Sequence, residues 1–177
     1  MTPPVPLRLD RVPTPTGVML LTADEDGRLR ALDWETHEAR MTRLLSLRWR
    51  QGVRLTPADD PFGLSTRLRA WFDGDLAAFD GVELALGGTA FQQAVWAGLR
   101  TIPAGETLSY RSLAERVGRP TAVRAVGLAN GANAAAIVVP CHRVIGSDSS
   151  LTGYGGGLER KRWLLDHERA HSARLAA

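Results

Sequence analysis

Two short runs near the start of the chain, residues 17–22 (GVMLLT) and 29–34 (LRALDW), are apolar or alternating. They flank Asp-Glu-Asp-Gly, a turn signal, and predict a β-hairpin. The period then changes. Met41, Leu44, Leu45 and Trp49 recur at helical spacing, as do Leu64, Leu68, Trp71 and Phe72, so two amphipathic helices are predicted. Residues 79–88 (FDGVELALGG) read as a connector ending in a Gly-Gly break. A domain boundary is expected there, giving segments 1–88 and 89–177.

The second segment opens on a capping box. Thr89 supplies the hydroxyl and Gln92, three residues on, the reciprocal acceptor. The helix that follows carries Val95, Trp96 and Leu99 and must stop before Pro103. In residues 109–118 (SYRSLAERVG), Tyr110, Leu113, Ala114 and Val117 form one apolar stripe. Gly118 ends that helix, and Pro120-Thr121 is expected to open the next. Two short helices around a tight glycine turn fit a helix-turn-helix, and equally an ordinary helical hairpin. On the later helix Val123 and Val126 are expected inward, and Arg124, Ala125, Leu128 and Ala129 outward. One arginine amid small residues suits insertion into a narrow groove; small residues also suit tight helix packing.

Composition adds less than pattern does. The chain has 177 residues, 44% of them hydrophobic, and a net charge of +3. The charge is uneven: residues 1–88 hold 11 Arg against 13 Asp+Glu, residues 89–177 hold 10 Arg and one Lys against 6 Asp+Glu. A basic second half fits either a solvated surface or a polyanion partner. No apolar run is long enough to span a membrane, and the N-terminus has no signal-peptide pattern. One cysteine cannot form an internal disulfide, in keeping with a reducing, cytoplasmic setting. Cysteine and histidine are too few and too scattered for a metal site.

That cysteine lies in residues 138–146 (VVPCHRVIG). Residues 137–140 (IVVP) read as a buried strand ending at the proline, with Cys141 emerging at a fixed point. A thiol is nucleophilic only as thiolate, and a nearby base promotes that form. His142 is a candidate base, and a carboxylate such as Glu168 could orient it. By composition alone, an inert buried cysteine is the commoner case.

PCHRVIG, followed by GYGGGLERKRWLLDHE, resembles the O6-alkylguanine-DNA alkyltransferase family (methylated-DNA–protein-cysteine methyltransferases). The likeness extends upstream through GTAFQQAVWAGLRTIPAGETLSYRSLAERVGRPTAVRAVGLANGAN, so it covers residues 89–168 densely. TPTGVMLLTADEDGRLRALDW is similar to the first domain of the bacterial, non-inducible members. The resemblance implies an α/β protein: a small RNase H-like N-terminal domain, then a helical, winged-helix-like domain carrying the cysteine. It also implies a DNA-repair alkyltransferase acting on O6-alkylguanine and O4-alkylthymine in double-stranded DNA, without metal or organic cofactor, and monomeric in solution.

Carried over by residue, the resemblance makes Cys141 the irreversible alkyl acceptor. His142 becomes its base through a water, and Glu168 the residue that holds His142. Tyr110 becomes the proton donor to the departing base, and Asn133 the tie between recognition helix and cysteine. Arg124 becomes the side chain that fills the stack after nucleotide flipping. Thr121, Ala125, Ala129 and Gly131 fall on the DNA-facing side, and Val138, Tyr154 and Gly155 on the base pocket. Three features depart from the family pattern. Ala134 stands where proline is usual, Gly155 stands where some members carry serine, and ligands for the zinc site of vertebrate members are absent. A lesion-binding relative without an acceptor and a turnover Cys-His hydrolase are the competing classes. Cys141 argues against the first, and no oxyanion hole is evident for the second.

Overall fold

The alternating stretch near the N-terminus belongs to a sheet larger than the hairpin that its pattern predicts. The structure, a computed structural model, describes residues 2–175. Strands β1 (Val5–Val12) and β2 (Met19–Ala23) pair antiparallel, as do β2 and β3 (Leu29–Trp34). Strand β4 (Val53–Pro57) then adds parallel to β1, giving the order β3-β2-β1-β4. β1 and β4 carry too little alternation to stand out, and parallel pairing across a long connection leaves no local signal. The predicted hairpin is β2–β3, with Met19 opposite Trp34 and Leu21 opposite Leu32. Asp24 closes its turn by accepting from the N–H groups of Asp26 (3.1 Å) and Arg28 (2.9 Å). Every residue of β2 is buried, so a central strand reads as an apolar run.

Helix α1 (Glu38–Arg48) buries Met41, Leu44 and Leu45. It stops one residue short of Trp49, whose N–H caps it on Leu45 O at 2.9 Å. Helix α2 (Leu64–Phe72) buries Leu64, Leu68, Trp71 and Phe72. The predicted connector is not a free tether. Phe79 and Leu86 are buried, and Leu84 bridges to Leu29 at the sheet margin. This first compact unit comprises Met1–Gly87, the second Gly88–Ala177.

In the second unit, α3 (Ala90–Arg100) begins as the sequence predicts. Thr89 Oγ1 accepts from Gln92 N at 3.2 Å and Gln92 Oε1 from Thr89 N at 3.0 Å. Val95, Trp96 and Leu99 are buried. A Cβ at Gly98 would lie 2.8 Å from Val117 Cγ1, so glycine there lets the next helix approach closely. That helix, α4 (Tyr110–Arg116), is capped by Ser109, which accepts from Ser112 N at 3.0 Å. It ends at Gly118, whose φ of +72° is the left-handed turn that glycine takes without strain.

Two helical expectations need correction. Helix α5 spans Val123–Gly131 and does not open at Pro120-Thr121. Those residues lie in a turn closed by Ala122 N to Arg119 O at 2.9 Å. Ala129 is buried, not outward, and its carbonyl accepts from Trp96 Nε1 at 2.9 Å; packing against α3 sets the helix rotation. Val126 is buried as expected, and Val123 only half-buried.

The strand expected over residues 137–140 does not form. Ile137 takes φ +72°, and the chain reverses through Val138 N to Ala136 O (2.8 Å) and Val139 N to Ala135 O (2.9 Å). A β-branched residue there carries strain of about 1–3 kcal/mol. The apolar run is buried because it turns inside the core, which periodicity cannot tell from a strand. Beyond it, the two-residue strands β5 (Leu108–Ser109) and β6 (Val144–Ile145) pair in parallel. Helix α6 (Leu158–Leu175) buries Lys161, Leu164, Leu165 and Glu168. Together these elements make a mixed α/β protein. No helix among the described residues is long and apolar enough to cross a membrane.

Candidate functional site

The β5–β6 pair is small, but it sets the site. Tyr110 directly follows Ser109, and the turn Cys141–Arg143 directly precedes Val144. Pairing Leu108 with Val144 therefore draws the start of α4 and the cysteine turn together. Pro140 fixes the entry into a 3-10 turn whose three residues, Cys141, His142 and Arg143, are all buried.

Asn133, two residues beyond the end of α5, holds the thiol in place. Its Oδ1 accepts from Ala135 N at 2.9 Å, which fixes the amide orientation. Its Nδ2 donates to Val139 O at 2.8 Å and to Cys141 Sγ at 3.0 Å. An N–H aimed at sulfur favours the thiolate. Ala134 is buried, and its N–H donates no backbone hydrogen bond among the described residues.

Behind the thiol lies a charged network. His142 Nε2 donates to Glu168 Oε1 at 2.7 Å. The same carboxylate accepts from Arg143 Nε (3.0 Å to Oε2) and Nη2 (2.7 Å to Oε1), and from Gly105 N at 3.2 Å. Burial alone would raise the Glu168 pKa. The His142 and Arg143 contacts outweigh burial and hold it down to about 2. Burial lowers the His142 pKa despite the opposing pull of Glu168. The pair thus consists of an ionised carboxylate and a neutral imidazole. With Nε2–H committed to Glu168, Nδ1 is the basic nitrogen. It is buried and has no hydrogen-bond partner among the described residues. No group of three or more potential metal ligands occurs among the described residues.

Tyr110 is half-buried, and its hydroxyl donates to the carbonyls of Thr152 (3.3 Å) and Gly153 (3.4 Å). Burial first, and the Cys141 charge second, raise its pKa. It therefore keeps its proton beside a thiolate. Val138 is buried, Tyr154 half-buried and Gly155 exposed. Tyr154 and Gly155 lie in the segment between β6 and α6.

The outer face of α5 is different in kind. Arg124, Ala125, Leu128 and Gly131 are exposed, Leu128 by 70%, and so is Thr121 in the preceding turn. Arg124 and Leu128 are one helical turn apart, so their side chains share a face.

Reading the sequence alone passed over three buried residues. Arg143 is the counter-ion of Glu168. The Asn130 amide favours the ionised form of Tyr110. Lys161 donates to the carbonyls of Val144 and Thr152. Arg143 was within reach, as a charge next to His142 in an otherwise apolar run. Lys161 stands out along the chain only as its sole lysine, and nothing there points to Asn130.

Residues 90–170 match the family described as 6-O-methylguanine DNA methyltransferase, DNA binding domain. A methylated-DNA–protein-cysteine methyltransferase of Salmonella typhimurium is 51% identical over 160 residues, 90% of this chain and 94% of that protein. Among solved structures, a Mycobacterium tuberculosis OGT in complex with DNA is 45% identical at a TM-score of 0.78, over 94% of both chains. An O6-methylguanine-DNA methyltransferase from Pyrococcus kodakaraensis is 26% identical at 0.68, over 92% of this chain and 98% of that one. With half its residues identical to a relative along nearly the whole length, and with a Cys-His-Glu network in place, the chain belongs to the methylated-DNA–protein-cysteine methyltransferase family.

Proposed function

We propose that this protein repairs DNA by taking the alkyl group of O6-alkylguanine, and of O4-alkylthymine, onto Cys141. One observation carries the reading: the thiol is held by Asn133 beside a neutral histidine whose Nε2–H is locked on Glu168 and whose Nδ1 is unclaimed. That is a base positioned to act on the thiol, directly or through one water.

The steps balance. His142 Nδ1 takes the thiol proton through a bridging water. The thiolate attacks the alkyl carbon in line, so the S–C bond forms as the C–O6 bond breaks. The electron pair moves into the guanine ring, and Tyr110 gives its hydroxyl proton to the base. The tyrosinate regains a proton from the His142 side or from water. The thioether offers no easy reverse path, so each chain acts once. No metal or organic cofactor enters this sequence of steps.

A stacked base cannot reach a buried thiol, so the nucleotide must leave the duplex. In this reading α5 lies in the minor groove, and Arg124 fills the gap in the stack. Thr121, Ala125, Leu128 and Gly131 meet the groove, with Ala129 as backing. Val138, Tyr154 and Gly155 receive the flipped base. The division at 88/89 then separates an RNase H-like domain from a winged-helix-like one that carries the chemistry, in a cytoplasmic monomer.

Intact mass after mixing with duplex DNA containing O6-methylguanine tests this. One methyl per chain is expected for the wild type. None is expected for Cys141→Ala, which should still bind DNA. Methyl transfer to the alanine variant, or repeated turnover by the wild type, overturns it.

A further inference from the structure

Lys161 is the only lysine in a chain with 21 arginines, and its residue is fully buried. Such a position is costly for a cation unless charge and hydrogen bonds are met. Its ammonium donates to Val144 O and to Thr152 O, the latter at 2.9 Å. Neither partner carries charge. Glu168, the carboxylate buried nearby on the same helix, is committed to His142 and Arg143. Among the described residues no carboxylate lies within ion-pair distance of Lys161. The Val144 carbonyl that holds the ammonium directly follows the Cys141–Arg143 turn, and a Cys141 thiolate there would favour protonated Lys161. Because such coupling is reciprocal, protonated Lys161 favours the Cys141 thiolate equally.

The hydrogen bonds carry a second consequence. Thr152 O accepts both from Lys161 Nζ and from the Tyr110 hydroxyl. Val144 directly follows the cysteine turn, and Thr152 lies just ahead of Tyr154 and Gly155. A single ammonium thus ties the exit of the turn to the segment against which Tyr110 is oriented. A compact group with three rotatable donors fits two carbonyls and leaves its charge undirected, whereas a planar guanidinium does not. This accounts for a lysine here in a chain that otherwise uses arginine.

We propose that Lys161 is a positioning residue of the transfer site: tied to Val144 and Thr152, its ammonium is the buried counter-charge of the Cys141 thiolate and fixes the carbonyl that orients Tyr110. The proposal rests on the alkyl-transfer reading above. The titratable and charged groups around Lys161 are Cys141, His142, whose protonation Lys161 opposes, and Tyr154, whose ring centre is 6.0 Å from Nζ. Tyr110 joins them through Thr152 O, and the Glu168–Arg143 pair lies behind His142.

The test is the titration of Cys141 by ultraviolet thiolate absorbance, with the Cys141→Ser signal subtracted, in wild type, Lys161→Met and Lys161→Arg. No DNA is needed, so failure here is distinct from failure of the alkyl-transfer reading. Lys161→Met should shift the thiol titration up by about one pH unit, roughly tenfold less thiolate near neutrality. Its transfer rate on alkylated duplex should fall about as much and recover as pH rises. Lys161→Arg should keep the thiol titration but lose rate at every pH, because the Thr152 carbonyl is no longer held. A methionine variant that folds and titrates like wild type overturns the proposal. Should the methionine variant fail to fold, Lys161→Arg decides the matter: transfer at the wild-type rate in that variant overturns the proposal.

Discussion

Two faces of the second unit differ in burial and in the company that their side chains keep. Around Cys141, the side chains of Asn133, His142, Arg143 and Glu168 are buried, those of His142 and Glu168 wholly so. On the outer face of α5, Arg124 and Leu128 are exposed and approach no such network. The difference fits the roles proposed for each. Proton transfer and thiolate formation need fixed dipoles in a medium that water does not screen. Groove binding needs side chains that meet their partners only when DNA arrives. The inner region should therefore be costly to alter and sensitive to pH, and the outer region cheap to alter and sensitive to the form of the substrate.

The largest effect should come from breaking the inner network. Glu168→Ala strands Arg143 as a buried, uncompensated charge and should cost about 3–5 kcal/mol in denaturant melts, with transfer falling as well. The same network predicts acid lability. Because the His142 pKa is lowered in the folded state, the unfolded chain takes up that proton first, and stability declines as pH falls below 6.5. The Glu168 pKa is also lowered, so a second loss follows as pH drops from 4.5 towards 2. Melts that stay flat between pH 7 and 4 would show that the pair is not held as described.

Arg124→Ala should come next. Repair in duplex DNA should fall by about a hundredfold, the worth of a few kcal/mol of lost stack filling. Reaction with free O6-benzylguanine, which needs no extrusion, should barely change. Equal losses on both substrates would assign Arg124 to the inner region instead. Leu128→Ala should be milder. Losing part of one apolar contact is worth about 1 kcal/mol, roughly fivefold in duplex affinity, and the salt slope of binding should stay at the wild-type value because no phosphate contact is lost.

The smallest expected effect lies between the two regions, in the handover from α5 to the thiol. Ala134→Pro would restrict the unfolded chain, and among the described residues the Ala134 N–H has no backbone hydrogen bond to lose. It should add roughly 0.4–1 kcal/mol of stability and leave transfer rates unchanged. A loss of stability would mean that the backbone beside Asn133 cannot accept the proline ring.

Much of the second unit could be read from the chain because its signals are local. The Thr89–Gln92 capping box and the Gly118 stop are decided within one turn of backbone. The Pro-Cys-His-Arg run likewise needs no tertiary contact to be recognised. Where local pattern was ambiguous, the reading failed. Residues 137–140 are apolar enough for a strand, yet they turn within the core, with Ile137 at positive φ. Ala129 is small enough for either face of α5, and contact with Trp96 decided that it is buried.

Sequence alone determined which chemistry is available: one thiol, a histidine beside it, a capped helix frame, and an arginine on a face of small residues. Tertiary structure decided what those groups are. Parallel pairing of β5 with β6 joins residues some 35 positions apart, and α6 brings Glu168 and Lys161 to a cysteine turn distant in the chain. Protonation state depends on burial and on partners brought from afar. The neutral His142, the ionised Glu168 and the proton-retaining Tyr110 therefore exist only once the chain has folded.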